Sequence, residues 1–450
     1  MMRYLPHGPE DRRAMLEALG LDRPEDLLAT IPGALRLRSA LDLPPALSEA
    51  ELQDHLNALA IKNASTGCYR SFLGAGAYDH FVPSAVDHLI SRTEFYSSYT
   101  PYQPEISQGT LQTIFEFQSM ICMLTELDVA NASLYDGATA TVEALLMAQR
   151  AHGRDRVAMA ATLHPEYLET ARTYFRNLGL AIDVVPHAAD GRVDEKALAA
   201  AVGSRTAGLA VQSPNVFGVI ERLDRLAEAA HGAGAAAVAV VAEPYSLGVL
   251  RGPGGLGCDV CVGEAQGFGN PLSFGGPYLG FMAAGERYVR QMPGRIVGET
   301  RDVEGRRGFV LTLSTREQHI RRAKATSNIC TNQGLCMTAA TIHLSLLGKE
   351  GLREVARANR AKAAYAISRL TAVRGVRRAF PGPVFNEFVL DLPRPAAEVL
   401  EALRGRNILG GLDLARWFPE AARRVLVAVT ERTRREDVDA YAAALGEVLA

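Results

Sequence analysis

Chemistry that proceeds through an amine has few candidates in this chain, because of 48 basic residues only Lys62, Lys196, Lys324, Lys349 and Lys362 are lysines. None lies in the glycine-rich run Gly263-Glu-Ala-Gln266-Gly-Phe-Gly-Asn-Pro-Leu-Ser-Phe-Gly-Gly-Pro-Tyr278, whose glycines fall where a backbone must pass close to something. A strand-like segment, Asp259 to Val262, feeds that run. Phenolic hydroxyls are concentrated in Glu94-Phe-Tyr96-Ser-Ser-Tyr99-Thr-Pro-Tyr102-Gln-Pro-Glu105. The spacing of three, with Pro101 and Pro104 favouring a polyproline-like backbone, predicts Tyr96, Tyr99 and Tyr102 on one face. Buried phenols need hydrogen-bond partners, so such a row suits a wet interface or a ligand mouth better than a dry core; a solvent-covered loop is the alternative.

Sulfur and charge are less specific. Cys258-x-x-Cys261 has metal or redox spacing, but no second pair or nearby histidine supports a zinc site, so the pair reads as small buried residues on a strand and no metal is expected. The six scattered cysteines fit a reducing cytoplasm better than a disulfide framework. Between Arg290 and Lys324 arginines crowd together and could fork onto carboxylates or steer an acidic partner. Glu299, Asp302, Glu304 and Glu317 are interleaved with them, which fits a self-paired surface equally well. Without an aromatic ladder, and with a formal net charge of −2, nothing points to nucleic acid or to a charged membrane surface.

These residues must be positioned by a large framework, and 450 residues at 48% hydrophobic and 22% charged can bury more than one core. Nowhere do about 18 apolar residues run together, and no secretory pattern opens the chain, so a cytoplasmic location is expected. Residues 1–60 read as a helical arm, with helical spacing in Pro9 to Leu19, Arg23 to Ile31 and Ser48 to Ile61, too poor in apolar surface to fold alone. Residues 61–348 read as a large α/β domain. Ser107 is expected to cap a helix buried through Leu111, Ile114, Phe115 and Ile121; Asp136-Gly137-Ala138-Thr139 opens another helix, ending near Gly153. Continuously apolar strands at Arg156 to Thr162, Ala181 to Val185, Gly208 to Gln212 and Ala235 to Ala242 alternate with helices, which predicts a mostly parallel sheet covered on both faces. Residues 349–450 read as a small second α/β module: a helix from Leu352 to Leu370, strands near Val384 to Leu390 and Val425 to Val429, and a Thr433-x-x-Glu436 capping box.

The motifs Tyr99-Thr-Pro-Tyr-Gln-Pro-Glu-Ile-Ser-Gln-Gly109, Asn131-Ala-Ser-Leu-Tyr-Asp-Gly-Ala138, Gly298-Glu-Thr with Gly305-Arg-Arg-Gly308, Arg321-Arg-Ala-Lys-Ala-Thr-Ser-Asn328 and Phe385-Asn-Glu-Phe388 resemble those of glycine decarboxylase, the P-protein of the glycine cleavage system. The resemblance spans nearly the whole chain. Its length, and a glutamine where a lysine is expected, make it similar to the N-terminal half of that enzyme, which many bacteria encode as a separate subunit 1. What the resemblance implies is the fold of pyridoxal-phosphate-dependent aminotransferases (fold type I), with a large mostly parallel sheet domain and a small C-terminal α/β domain.

In that fold the strand-turn-glycine stretch carries the lysine that holds pyridoxal phosphate as an imine, and the comparable position here is Gln266. An amide has no nucleophilic lone pair to offer an aldehyde. The resemblance further implies a relic cofactor pocket: Gly137, Ala138 and Thr139 at a helix N-terminus where the phosphate would sit, His164 where an imidazole would stack on the ring, and Glu243 in place of the aspartate that pairs with the ring nitrogen. No residue of this chain alone is then expected to be catalytic. Pyridoxal phosphate is expected on a homologous partner, subunit 2, and Tyr96, Tyr99, Tyr102, Glu105, Asn328 and Cys330 are expected to reach that partner's active site. The implied reaction is loss of the carboxylate of glycine as carbon dioxide and transfer of the aminomethyl group to the lipoyl arm of the H-protein. A non-catalytic scaffold subunit, or an autonomous pyridoxal-phosphate lyase or aminotransferase, are the competing readings; Gln266 argues against the last.

Overall fold

The structure is a computed structural model and describes residues 6–37 and 39–450. Its contacts divide the chain into two compact units, Met1–Ala64 and Ser65–Ala450. In the first, helix α1 (Pro9–Leu19) has the predicted bounds, with the Asp11 carboxylate accepting from the Gly8 amide at 2.7 Å and a left-handed Gly20 ending it. The helix expected over Arg23 to Ile31 is instead a 3-10 turn at Pro24–Leu28. Helix α2 (Glu49–Ala60) starts at a capping box in which Glu51 accepts from the Ser48 amide at 2.8 Å. No residue of either helix is buried.

The second unit begins with strand β1 (Arg70–Ser71) and the short helix α3 (Ser84–Ile90). Then follow α4 (Gln108–Thr125), β2 (Val129–Ala130), α5 (Gly137–His152), β3 (Arg156–Ala160), α6 (Pro165–Phe175), β4 (Ala181–Val185), α7 (Glu195–Ala201), β5 (Thr206–Gln212), α8 (Leu223–Gly232), β6 (Ala236–Val241), β7 (Val260–Glu264) and β8 (Gly280–Ala284). The strands form one seven-stranded sheet in the order β2-β8-β7-β6-β5-β3-β4. From β7 to β4 every pairing is parallel, and β8 and β2 close the edge antiparallel. Strands β5, β6 and β7 are buried at every position, as their unbroken apolar runs require when both sheet faces are covered.

Helix α4 buries Phe117 and Gln118 beside the expected Leu111, Ile114 and Ile121, while Phe115 is only half-buried. Ser107 does not cap it. Its backbone is not extended, and the helix start is held instead by Gln108, whose amide donates to the carbonyls of Pro104 at 2.7 Å and Phe309 at 2.9 Å. Phe309 belongs to a hairpin of β9 (Ile296–Arg301) and β10 (Arg307–Thr312), on which Arg306 pairs with Asp302 and Glu304, and Arg307 with Glu299. This part of the basic stretch is therefore a self-paired surface.

Beyond the short α9 (Gln318–Arg321), helix α10 (Gly334–Thr371) kinks at Gly348, so the expected Leu352–Leu370 helix is its second half. A four-stranded antiparallel sheet, β11-β12-β15-β14, follows, made of β11 (Arg377–Arg378), β12 (Glu387–Asp391), β14 (Leu412–Asp413) and β15 (Arg424–Ala428), with α11 (Ala396–Arg404) and β13 (Ile408–Leu409) in between. The last helix, α12 (Arg435–Leu449), starts two residues after Thr433; its box pairs the Arg434 amide with Asp437 at 3.0 Å, while the Thr433 hydroxyl accepts from Thr430. Two hydrophobic clusters result. The second, under the antiparallel sheet, also takes in Phe72, Val216, Phe217 and Val219 from much earlier in the chain, and β1 pairs with β13.

Candidate functional site

The parallel strands end in polar residues that the covered sheet keeps from water: His164 after β3, Gln212 on β5, Glu243 after β6, Glu264 on β7 and Gln266 beyond it are all buried. Buried polar groups must find partners or cost stability. Three of them, His164, Glu243 and Gln266, find a partner on one loop, Gly74–His80, that runs between β1 and α3.

Gln266 accepts from the Tyr78 amide at 3.3 Å, and its side-chain amide donates to the Asn270 carbonyl at 2.5 Å. Glu243 accepts from the Tyr245 amide at 2.9 Å, from Asn386 at 3.0 Å, and lies 3.0 Å from His80 Nε2. The other nitrogen of His80, Nδ1, is 2.8 Å from Glu431, which follows β15. Burial alone would depress the His80 imidazole, but the charge of Glu243 and hydrogen bonds to Glu243 and Glu431 outweigh it and raise its pKa to about 10. The ring is therefore an imidazolium between two carboxylates. Tyr78 donates its hydroxyl to Glu387 at 2.6 Å, and Glu387 also accepts from the Ala75 amide at 2.7 Å.

His164 caps α6, accepting from the Glu166 amide at 3.2 Å, and its Nε2 meets the Ala75 carbonyl at 3.0 Å. Its Cδ2 edge lies against Gly76, where φ is +88° and an added Cβ would lie 3.2 Å from that atom, so a side chain there would be strained by the backbone and crowded by the ring. Burial pushes the His164 pKa down, favouring the neutral ring.

Helix α5 begins as predicted, with Asp136 accepting from the Thr139 amide at 2.7 Å. The Gly137 amide is taken by Glu264 at 3.1 Å, which also accepts from Gln266 at 3.0 Å and Leu279 at 2.7 Å. Burial pushes the Glu264 pKa up to about 7 in spite of these donors. The Tyr167 hydroxyl closes over the same helix start, 2.2 Å from where a Cβ on Gly137 would fall; Ala138 and Thr139 are half-buried.

The structure thus brings Gly137, Ala138, Thr139, His164, Glu243 and Gln266 to one end of the sheet. Pyridoxal phosphate, implied by the fold, does not fit the residues present there: no amine stands at position 266, the helix-start amides already face two carboxylates, and Glu243 already has a cation. Sequence reading missed the residues that do this, namely Tyr78, His80, Glu264, Glu387, Asn386 and Glu431. The available signals were charged residues interrupting apolar strands, as in Phe385-Asn-Glu-Phe388, and the glycine-spaced run before Tyr78.

Among the described residues no hydrogen bond joins Tyr96, Tyr99 or Tyr102 to Gln266 or Glu243. Tyr96 and Tyr99 are 68% and 71% exposed. Tyr102 is anchored: its hydroxyl accepts from Arg295 at 2.7 Å, the guanidinium lies 5.3 Å over its ring, and Arg295 is itself buried in an ion pair with Glu317. Glu105 is exposed on a 3-10 turn, Pro104–Ile106. Asn328 and Cys330 are exposed on a segment tied back by Ser327 to Glu143 at 2.6 Å and by the Cys330 amide to the Tyr135 hydroxyl at 3.3 Å. That segment continues to Gly334, where an added Cβ would be 3.3 Å from the Ser98 carbonyl, so it passes beside the tyrosine loop. Cys258 and Cys261 are buried, and burial pushes the Cys258 thiol up to about 12.

Residues 2–445 match the family model described as glycine cleavage system P-protein. The chain is 51% identical over 451 residues to the probable glycine dehydrogenase (decarboxylating) subunit 1 of Desulforamulus reducens, covering 99% of this chain and 100% of that one. It is 54% identical over 447 residues to the protein of the same description from Anaeromyxobacter dehalogenans, at 99% and 100% coverage. A crystal structure of glycine decarboxylase (P-protein) of the glycine cleavage system, in inhibitor-bound form, superposes with a TM-score of 0.89 at 45% identity over 100% of both chains. Sphingosine-1-phosphate lyase from Burkholderia pseudomallei, at 16% identity and a TM-score of 0.65 over 93% of this chain and 94% of that one, shares the fold alone. From its framework to the motifs around its sites, the chain belongs to the glycine cleavage system P-protein family, with the build of its subunit 1.

Proposed function

We propose that this chain works as the subunit of glycine decarboxylase that completes an active site it does not itself contain. The observation that carries this reading is Gln266: at the end of β7 stands an amide engaged with Tyr78 and Asn270, where the chemistry needs a free amine. A homologous, lysine-bearing subunit would hold pyridoxal phosphate, which supplies the sink for the electrons released when glycine loses its carboxylate. The aminomethyl group would then pass to the lipoyl arm of the H-protein.

This chain's own part follows from the tyrosine loop. Tyr96 and Tyr99 present hydroxyls outward, free to donate to a substrate or to order a water across an interface. Tyr102 and Arg295 hold the end of the loop in place. Glu105, Asn328 and Cys330 stand exposed on the two neighbouring segments, and docking of a partner over all of them would exclude water from the reacting centre.

The test is to purify the chain and its lysine-bearing homologue separately and together, and to measure glycine decarboxylation in the presence of lipoylated H-protein. The chain alone is expected to be inactive and the mixture active. Full turnover by the homologue without this chain would leave only a scaffold role, and turnover by this chain alone would overturn the reading.

A further inference from the structure

The strand-end pocket offers the chemical features this fold uses to bind pyridoxal phosphate, and each of them is already engaged. At the phosphate end, the Gly137 and Thr139 amides are held by Glu264 and Asp136, and the Tyr167 hydroxyl covers the helix start. At the ring-nitrogen end, the Glu243 carboxylate faces the His80 ring, whose two nitrogens lie between Glu243 and Glu431. The edge of the His164 ring is held through Nε2 by the Ala75 carbonyl, and Gly76 passes beside its Cδ2. At the amine end, Gln266 holds the Tyr78 amide.

We propose that the segment Gly74–His80, together with Glu264, occupies this pocket as an internal substitute for the cofactor, and that this occupancy excludes pyridoxal phosphate independently of the missing lysine. The inference rests on the reading that this pocket is the counterpart of the cofactor pocket in the active subunit. Three features make the occupancy hard to displace. A phosphate dianion entering at α5 meets two carboxylates that hold the amides it needs. A pyridinium entering at Glu243 must displace a ring that is itself cationic and bonded on both nitrogens. Removing the loop also severs Tyr78–Glu387 and His80–Glu431, two links that, beside Glu243–Asn386, tie the end of the parallel sheet to the antiparallel sheet. The segment therefore serves as a plug and as a clasp between the two sheets.

The test restores the amine and leaves the plug in place. The full chain carrying Gln266→Lys is exposed to pyridoxal phosphate, reduced with borohydride, and mapped for a covalent adduct at position 266. No imine absorbance and no adduct at that position are expected, whereas stoichiometric labelling of the introduced lysine would overturn the inference. A second arm uses the unaltered chain and pyridoxamine phosphate, which carries the ring and the phosphate but needs no lysine. Equilibrium dialysis is expected to find no saturable uptake; one-to-one binding would overturn the inference even if Gln266→Lys failed to fold. Neither result decides the proposed function, which fails if the unaltered chain turns over alone or adds nothing to turnover when mixed with its lysine-bearing homologue.

Discussion

Two loops carry the densest polar aromatic chemistry of this protein, and they are built in opposite ways. The Gly74–His80 loop turns inward: its tyrosine and histidine are buried, their ring polar atoms are matched to carboxylates, and its glycine permits a backbone against an imidazole ring. The Glu94–Glu105 loop turns outward, with only its last tyrosine anchored and two phenols facing solvent. A buried, saturated network stabilises and rigidifies, because any group that loses its partner pays a desolvation penalty. An exposed, unsaturated one stabilises little and is available for recognition. The difference separates a region whose work is finished in this chain from one whose work needs a second molecule.

The largest effect should come from the charge state of the closed loop. The folded-state pKa of His80, about 10, lies above its ordinary value of 6.5, so its contribution is fully present below about pH 6.5 and is lost as pH rises toward 10. Glu243 faces this network, as do the titrating groups Glu431, Tyr78, Tyr245 and His343, and His343 is pushed down to about 4 by burial and then by the His80 charge. Glu264 and Glu387 are raised by burial to about 7, so their contributions are present at acid pH and fade as pH climbs from 4.5 through 7. Denaturant unfolding across this range should therefore show stability falling in two stages, with each titrating group contributing a slope of at most about 1.4 kcal/mol per pH between its unfolded and folded pKa values. His80→Gln should flatten the alkaline stage, and Glu264→Gln should lessen the slope of the neutral one, to which Glu387 also contributes. An alkaline stage unchanged in His80→Gln would break the picture of a buried imidazolium.

The open loop should respond in rate. Tyr96→Phe or Tyr99→Phe keeps the ring and removes a hydroxyl that has no hydrogen-bond partner among the described residues. Turnover of the complex with the lysine-bearing homologue and H-protein should drop by about 2–4 kcal/mol in barrier, tens- to hundreds-fold, with assembly intact. If both variants turn over like wild type per intact complex, the outer phenols take no part in the chemistry.

The converse substitution sharpens the contrast. Tyr78→Phe leaves the Glu387 carboxylate buried without its phenol donor and should cost about 1–3 kcal/mol of stability, read as a lowered denaturation midpoint. Turnover per folded complex should stay the same. Tyr102→Phe probes the position between the two cases, where a half-exposed phenol meets a buried arginine. Losing that bond should cost about 0.5–1.5 kcal/mol, and turnover should fall by less than in the Tyr96 and Tyr99 variants. A larger loss of rate than theirs would place the chemical role at Tyr102 itself.

Much of the framework was legible in the sequence because it depends on local pattern. Apolar runs such as Ala236–Val241, alternating with helical segments, read as strands covered on both faces, and Asp136 before a helical pattern reads as its N-cap. The absence of a usable amine at position 266 is likewise a fact of residue type, and the motifs around Tyr99, Asn131 and Phe385 carried the family resemblance. Local pattern misled where a helix end depended on its surroundings: Ser107 has a capping residue's chemistry, but its backbone angles are set by neighbours, and Gln108 reaches the hairpin instead. The closed pocket was decided by tertiary structure alone. Tyr78 is 309 residues from Glu387, and His80 is 163 from Glu243 and 351 from Glu431, so no spacing along the chain relates them. Charged residues within apolar strands signal only that partners must exist. Which partners they are follows from the packing of two sheets against one loop, because a buried carboxylate is bonded by whatever donor the fold places within about 3 Å of it.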